Sequence, residues 1–262
     1  MITELNGGYV RTEKEHGITT IEFYHEQSNS MPGKLLETLA QTIHSEGVNP
    51  NTRVIILRSG GNSTFCSGAS FDELQTIKTP EEGAQYFRGV AKVINAMRKA
   101  PQFIIARIQG KSLGGGVGIV AAADYAIAVE GADIKLTELA FGIGPFVIGP
   151  AVQRKIGLSS FTQLTIDSNT WRSADWARRK GLYAELHPEL SGIEDSIERL
   201  SFTLSHSNPE AMKELKREFW SGTETWDELL KERASISGRL ILSDYSREAI
   251  QKFKSKTKTR SL

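Results

Sequence analysis

Gly110-Lys111-Ser112-Leu113-Gly114-Gly115-Gly116-Val117-Gly118-Ile119-Val120-Ala121-Ala122-Ala123-Asp124 is the stretch on which the reading of this chain turns. It follows the apolar run Phe103-Ile104-Ile105-Ala106 and enters an alanine-rich segment, a pattern that predicts strand, glycine turn and helix. Glycines there permit positive φ and let a ligand approach bare backbone N–H groups. The helix N-terminus adds a partial positive charge at the same place. Three readings compete. Gly116-x-Gly118-x-x-Ala121, with Asp133 or Glu138 downstream, formally matches a dinucleotide fingerprint, but it lies far beyond the first crossover unit, where such fingerprints belong. Small residues that merely allow close helix packing are the plainer reading. The third is an oxyanion hole, in which backbone N–H groups bind charge that develops on a carbonyl.

A second segment, Thr64 to Leu74, follows the apolar run Val54-Ile55-Ile56-Leu57 and offers another exposed N–H. Outward from these two, Gly8 to Tyr24 predicts a β-hairpin turning at His16-Gly17. Pro32-Gly33 opens a helix with Leu35, Leu36, Leu39 and Ile43 on one face. Ala84 to Lys99 repeats that spacing through Tyr86, Phe87, Val90, Val93, Ile94 and Met97. Tyr125 to Val129 is a further strand, and after about residue 150 helices predominate: Ala174–Lys180, Glu194–Leu204, Pro209–Trp220 and a run from Thr225. Strands alternating with helices imply a layered α/β core.

Composition excludes several classes. The chain has 262 residues and a formal net charge of +1, which rules out a uniformly basic nucleic-acid binder. A single cysteine, Cys66, excludes a disulfide framework and reads as a small buried hydrophobe in a reducing compartment. The histidines at 16, 25, 44, 187 and 206 show no ligand spacing, so no metal is expected. No secretory leader and no run of about 18 apolar residues is visible, so the expectation is a soluble, cytoplasmic protein that makes no membrane contact. Trp171, Trp176, Trp220 and Trp226 read as core or subunit contacts.

Four motifs now stand in order. Ser28-Asn29-Ser30-Met31 looks like an N-A-L segment before the first helix. Phe65 to Leu74 looks like F-x-A-G-A-D-I-x-E-M, and Gly110 to Asp124 like G-x-A-x-G-G-G-x-E-L. Leu136 to Ile143 follows as P-E-x-x-x-G-I. The chain therefore resembles the crotonase, or enoyl-CoA hydratase/isomerase, superfamily over essentially its whole length.

The resemblance implies an α/β spiral of ββα units across residues 1–195, holding the CoA thioester and the active site. It implies a helical region over 196–262 for oligomerisation and CoA cover, in a homotrimer or a hexamer built as a dimer of trimers. The implied ligand is an acyl-CoA thioester; coenzyme A arrives with the substrate, so no separate cofactor is expected. Ala69 and Gly115 would supply the oxyanion hole through their backbone N–H groups, and Glu138 the acid/base. Ser28, Asn29, Met31, Ala69, Ser70 and Phe71 would contact CoA, with Phe253 at the adenine and Lys254 at the phosphates.

One departure matters. Family hydratases use two glutamates, and the first of them is Gly118 here. Glycine neither holds water through a carboxylate nor transfers a proton, whereas Glu138 alone can move a proton between C2 and C4. Ile143-Gly144-Pro145-Phe146 also looks like the I-x-P-F of Δ3,Δ2-enoyl-CoA isomerases. Hydration stays open beside isomerisation, including a methylglutaconyl-CoA-type hydration, with Asp72 or Glu73 as alternative holders of the water. The plain reading of that pair is a solvated helix start, and of Glu138 a surface carboxylate.

Residues Arg247 to Leu262 carry six Lys or Arg against Glu248 alone, net +5, which leaves −4 for the rest of a chain whose total is +1. A solvated tail is the default for such a run. Two other classes remain: a non-catalytic acyl-CoA binder, and an RNA-binding homologue, for which the basic tail is the only support.

Overall fold

The computed structural model describes residues 1–259, with side chains through Phe253. Short strands β1 (Ile2–Leu5), β2 (Gly8–Glu15), β3 (Ile18–His25) and β4 (Ser30–Met31) precede helix α1 (Gly33–Gly47). Then come β5 (Val54–Ser59), β6 (Thr64–Cys66), β7 (Gly68–Ala69), α2 (Phe71–Leu74), α3 (Pro80–Lys99), β8 (Phe103–Ile108), β9 (Lys111–Leu113) and α4 (Gly115–Ala122). After β10 (Tyr125–Val129), β11 (Ile134–Lys135) and a 3₁₀ turn (Leu139–Phe141) lie α5 (Gly149–Ile166), α6 (Ala174–Arg179) and β12 (Glu185–His187). Helices α7 (Leu190–Ser205), α8 (Pro209–Phe219), α9 (Trp226–Leu240) and α10 (Asp244–Thr259) complete the described chain.

The main sheet runs β1-β2-β3-β5-β8-β10-β12. The hairpin contributes the antiparallel pairs, and β3 onward the parallel ones. The apolar runs of β5, β8 and β10 are buried on both faces, as parallel strands between layers require. One face packs on α1, α3 and α4, and the other packs Val54, Ile56, Ile105 and Ile127 against Ile193 and Ile197 of α7. A smaller parallel sheet, β11-β9-β6, and the pair β4-β7 carry the glycine segment and the Thr64 segment side by side.

Local chemistry fixes the helix ends. Thr79 and Glu82 form a reciprocal capping box at α3, with Pro80 just inside it. Gly114 begins α4 at φ +48°, ψ −118°, a conformation that favours glycine. Helix α9 lies against α3 at Gly83 and Gly238, where a Cβ on Gly83 would meet Gly238 O at 2.6 Å.

The structure adds elements that patterning missed: β1, β12, and α5, whose helical path breaks at Gly157 with φ +76°. The basic C-terminal run, read by default as a solvated tail, is helical through Thr259, because α10 packs its N-terminal turns on Gly142 through Tyr245 and Ser246. Trp226 is buried, whereas Trp171 stays 38% exposed beneath the Lys111 ammonium, 4.8 Å from its ring. Among the described residues no helix is long and apolar enough to cross a membrane.

Candidate active site

Two glycine contacts bring the strand ends together. Gly68, at φ +84°, leaves room where a Cβ would stand 2.9 Å from Leu113 O and 3.6 Å from Gly115 N. Ala69 and Gly115 therefore sit on neighbouring segments, and both line one pocket. The remaining wall is mostly apolar, including Met31, Phe71, Phe87, Val90, Phe141 and Phe146. Ile143, Gly144 and Pro145 line it too.

The β9–β11 register places Glu138. Lys135 pairs with Leu113, and Gly114 N–H donates to Lys135 O at 2.9 Å. Three residues on, the Glu138 carboxylate lies against Gly114, where a Cβ would meet Oε1 at 3.0 Å. Glu138 thus enters the same pocket as Ala69 and Gly115 rather than standing on the surface. Although the residue as a whole is only partly buried, its Oε2 is sealed from solvent without a hydrogen-bond partner among the described residues. Burial pushes the carboxyl up to about 7 from an ordinary 4.5, against the opposite pull of its own and Thr137's backbone N–H groups. Among the described residues no Lys, Arg or His lines the pocket to offset it.

Gly116 and Gly118 are packing positions. A Cβ on Gly116 would lie 2.7 Å from Cys66 Cβ, and one on Gly118 would lie 2.4 Å from Ile148 Cγ2. Close helix packing accounts for these two glycines, which removes the backbone access that a dinucleotide fingerprint needs. Asp72 and Glu73 lie outside the pocket lining: Gln27 Nε2 donates to Asp72 at 2.9 Å, and Gly33 N–H donates to Glu73 at 2.7 Å.

The other sequence-selected residues divide. Met31 and Phe71 line the pocket. Ser28, at φ +53°, is exposed in the turn before β4. Asn29 is buried with its side chain committed internally: it accepts from His25 N–H at 3.0 Å and donates to Gly60 O and Thr64 O, both at 2.8 Å. Ser70 is buried and caps α2, its hydroxyl accepting from Glu73 N–H at 3.4 Å. Phe253 stacks on Phe71 at 4.8 Å between centroids and meets Phe141 edge-on at 5.5 Å, so it covers two pocket aromatics. The Lys254 side chain lies outside the described residues.

Patterning treated Tyr86 only as part of an apolar helix face and passed over Ile148 and Ser237. Tyr86 lines the pocket and donates to Ser70 O at 3.3 Å; burial holds its phenol far above the usual range, so it stays a neutral donor. Ser237 had a visible signal, a hydroxyl at the third place of the stripe Leu230, Ala234, Ser237.

A buried lone carboxylate beside two glycine-rich turns is the geometry expected around a thioester carbonyl, and comparison with known proteins decides the family. Residues 13–260 match the enoyl-CoA hydratase/isomerase family profile. The chain belongs to that family. Ethylmalonyl-CoA decarboxylase of Rattus norvegicus is 25% identical over 260 residues, covering 96% of this chain and 86% of that protein. The match to the Xenopus tropicalis ethylmalonyl-CoA decarboxylase is 27% over 146 residues, and there the chain spans about half (48%) of the relative's length. Bacillaene synthase dehydratase PksH of Bacillus subtilis is 27% identical over 159 residues, 60% of this chain and 61% of that protein. Enoyl-CoA hydratase from Bacillus halodurans shares the fold with a TM-score of 0.86 at 18% identity, over 92% of this chain and 98% of that one. The crotonase fold expected from the motifs is therefore the fold observed.

Proposed function

We propose that this family member acts on an enoyl-CoA thioester with Glu138 as its one acid/base, and that its net reaction is a shift of the double bond between C3–C4 and C2–C3. The supporting observation is Gly118 packed on Ile148: this position carries no carboxylate, and a branched hydrocarbon stands 2.4 Å from where its Cβ would begin. In this reading ionised Glu138 removes a proton from C2 of a 3-enoyl thioester. The electron pair moves onto the thioester oxygen, which the backbone N–H groups of Ala69 and Gly115 stabilise. Glu138 then returns the proton at C4, and the double bond settles between C2 and C3. A carboxyl raised to about 7 suits this work, since it is half ionised near neutral pH and both takes and gives a proton readily. Losing one oxyanion donor typically costs about 3–4 kcal/mol of transition-state stabilisation.

Syn hydration is the second reading, favoured by Glu138 Oε2, a carboxylate oxygen on the pocket wall that no protein donor among the described residues occupies. One carboxylate then passes the water's proton to C2 while the oxygen adds at C3. Neither reading requires a bound cofactor beyond the coenzyme A of the substrate, and a trimer or hexamer is the assembly proposed for both.

Incubation with 3-hexenoyl-CoA and with crotonyl-CoA, following double-bond shift and hydration separately, tests the choice. Conversion of the first with little hydration of the second supports the shift, and the reverse result assigns hydration. Binding of both esters without turnover would instead make the protein an acyl-CoA binder.

A further inference from the structure

Among the described residues, Glu138 Oε2, the hydroxyl of half-buried Thr137 and the hydroxyl of Ser237 on α9, a residue only 2% exposed, line the pocket without a hydrogen-bond partner. Helical serines and threonines commonly bond back to the carbonyl four residues earlier. Ser235 does so to Lys231 O at 3.2 Å and Thr42 to Thr38 O at 2.8 Å, but Ser237 makes no such bond. Its position follows from packing. The α3–α9 approach at Gly83 and Gly238 presses the Leu230, Ala234, Ser237 stripe onto the core and carries Ser237 into a wall that α3 also lines, through Tyr86, Phe87 and Val90.

Of the neighbouring hydroxyls, Tyr86 donates to Ser70 O and Ser67 donates to Gln27 O at 3.3 Å. Among the described residues, only Ser237 brings an unengaged hydroxyl to this wall from the C-terminal helices. A hydroxyl that meets no protein partner on a mostly apolar wall adds nothing to packing that an alanine methyl would not, and it is left available to a ligand. A hydroxyl both donates and accepts, so it can meet a carbonyl or another hydroxyl. An ionised group is a poor match, because no cation among the described residues lines the pocket to compensate a buried carboxylate.

We propose that Ser237 is a specificity-determining residue that hydrogen-bonds a neutral oxygen substituent, hydroxyl or oxo, on the acyl chain of the thioester. This rests on the acyl-CoA reading above, and it gives α9 a part in substrate choice.

The test measures binding, so it does not depend on which reaction occurs. Calorimetric titration of the wild-type protein, Ser237→Ala and the near-isosteric Ser237→Cys uses butyryl-CoA, acetoacetyl-CoA, 4-hydroxybutyryl-CoA and glutaryl-CoA. The wild type should bind at least one of the two neutral oxygenated esters about 3–10-fold more tightly than butyryl-CoA, the range one hydrogen bond supplies. Both variants should lose that preference while butyryl-CoA affinity stays within about twofold. Unchanged preference in the variants overturns the proposal. So does an equal loss for butyryl-CoA, which would make Ser237 a packing residue, or a Ser237-dependent preference for glutaryl-CoA. Failure of every CoA ester to bind the wild type overturns the acyl-CoA reading itself.

Discussion

Ile148 Cγ2 stands 2.4 Å from the point where a Cβ on Gly118 would lie, and Ile148 Cβ stands 2.6 Å from it. The family's first glutamate is thus absent in volume as well as in chemistry. A glycine that had merely lost a carboxylate would leave a gap, and here the loop before α5 has closed that gap with a branched side chain.

Gly118→Ala should therefore destabilise the fold. Inside a helix, alanine is ordinarily worth about 1 kcal/mol more than glycine. Overpacking costs about 1–3 kcal/mol, and at a 2.4 Å approach to a branched side chain the clash should win. Urea unfolding should show a lower midpoint, and in an Ile148→Gly background, where the nearest atom is the Cα at 3.6 Å, the same substitution should become neutral or stabilising. A plain gain in the wild-type background would show that Ile148 moves aside freely.

Glu138 should link stability to pH. Its folded pKa of about 7 lies above the ordinary 4.5, so between those values the native chain keeps a proton that the unfolded chain releases. Wild-type stability falls through that interval relative to a variant without the charge. Glu138→Gln should therefore melt higher than wild type at pH 8.5 and nearly equal to it below pH 4.5, with the gain developing between about 4.5 and 7. For turnover the sign is opposite, since the base form is needed and kcat/KM should rise through about pH 7. Melting curves across pH check the first statement, and initial rates the second.

Phe253 should matter to the ester more than to the fold. Its ring is stacked on Phe71 and edge-on to Phe141, both part of the pocket wall. Phe253→Ala should raise KM for a CoA ester by at least about threefold, given the energy of such aromatic pairs. Truncation after Ile250 should do at least as much. An unchanged KM in both would remove α10 from the ligand site.

Lys216 is a test of the scaffold. It is almost fully buried and salt-bridged to Asp124, which also accepts from Ile104 N–H at 2.8 Å and Trp220 Nε1 at 3.0 Å. This pair joins α8 to the end of the glycine segment. Lys216→Met removes one partner and leaves a buried charge, which typically costs about 3–5 kcal/mol. Urea unfolding checks it, and a loss under about 1 kcal/mol would mean that solvent reaches Asp124 in the variant.

Much of this arrangement was legible in the residues, for identifiable reasons. The Val54 and Phe103 runs announced buried parallel strands because continuous apolarity has few other uses at that length. The order of the four motifs pointed to the family, and Glu138, Ala69 and Gly115 do share a pocket. Helix α5 escaped because its apolar residues are interrupted by Gly157 and its mean amphipathicity is slight. Asn29 was read toward the ligand, yet its side chain ties three backbone groups together, a purpose that only coordinates reveal. Ile148 and Gly118 are thirty residues apart in the chain, and no local pattern links them.

Glu138→Gln tests the acid/base assignment most directly, because it keeps the shape of the side chain and removes the proton carrier. Turnover of whichever enoyl-CoA ester the wild type converts should fall by about 10²–10⁴ while ester binding is retained. A fall of less than about tenfold would contradict Glu138 as the lone acid/base of this enzyme.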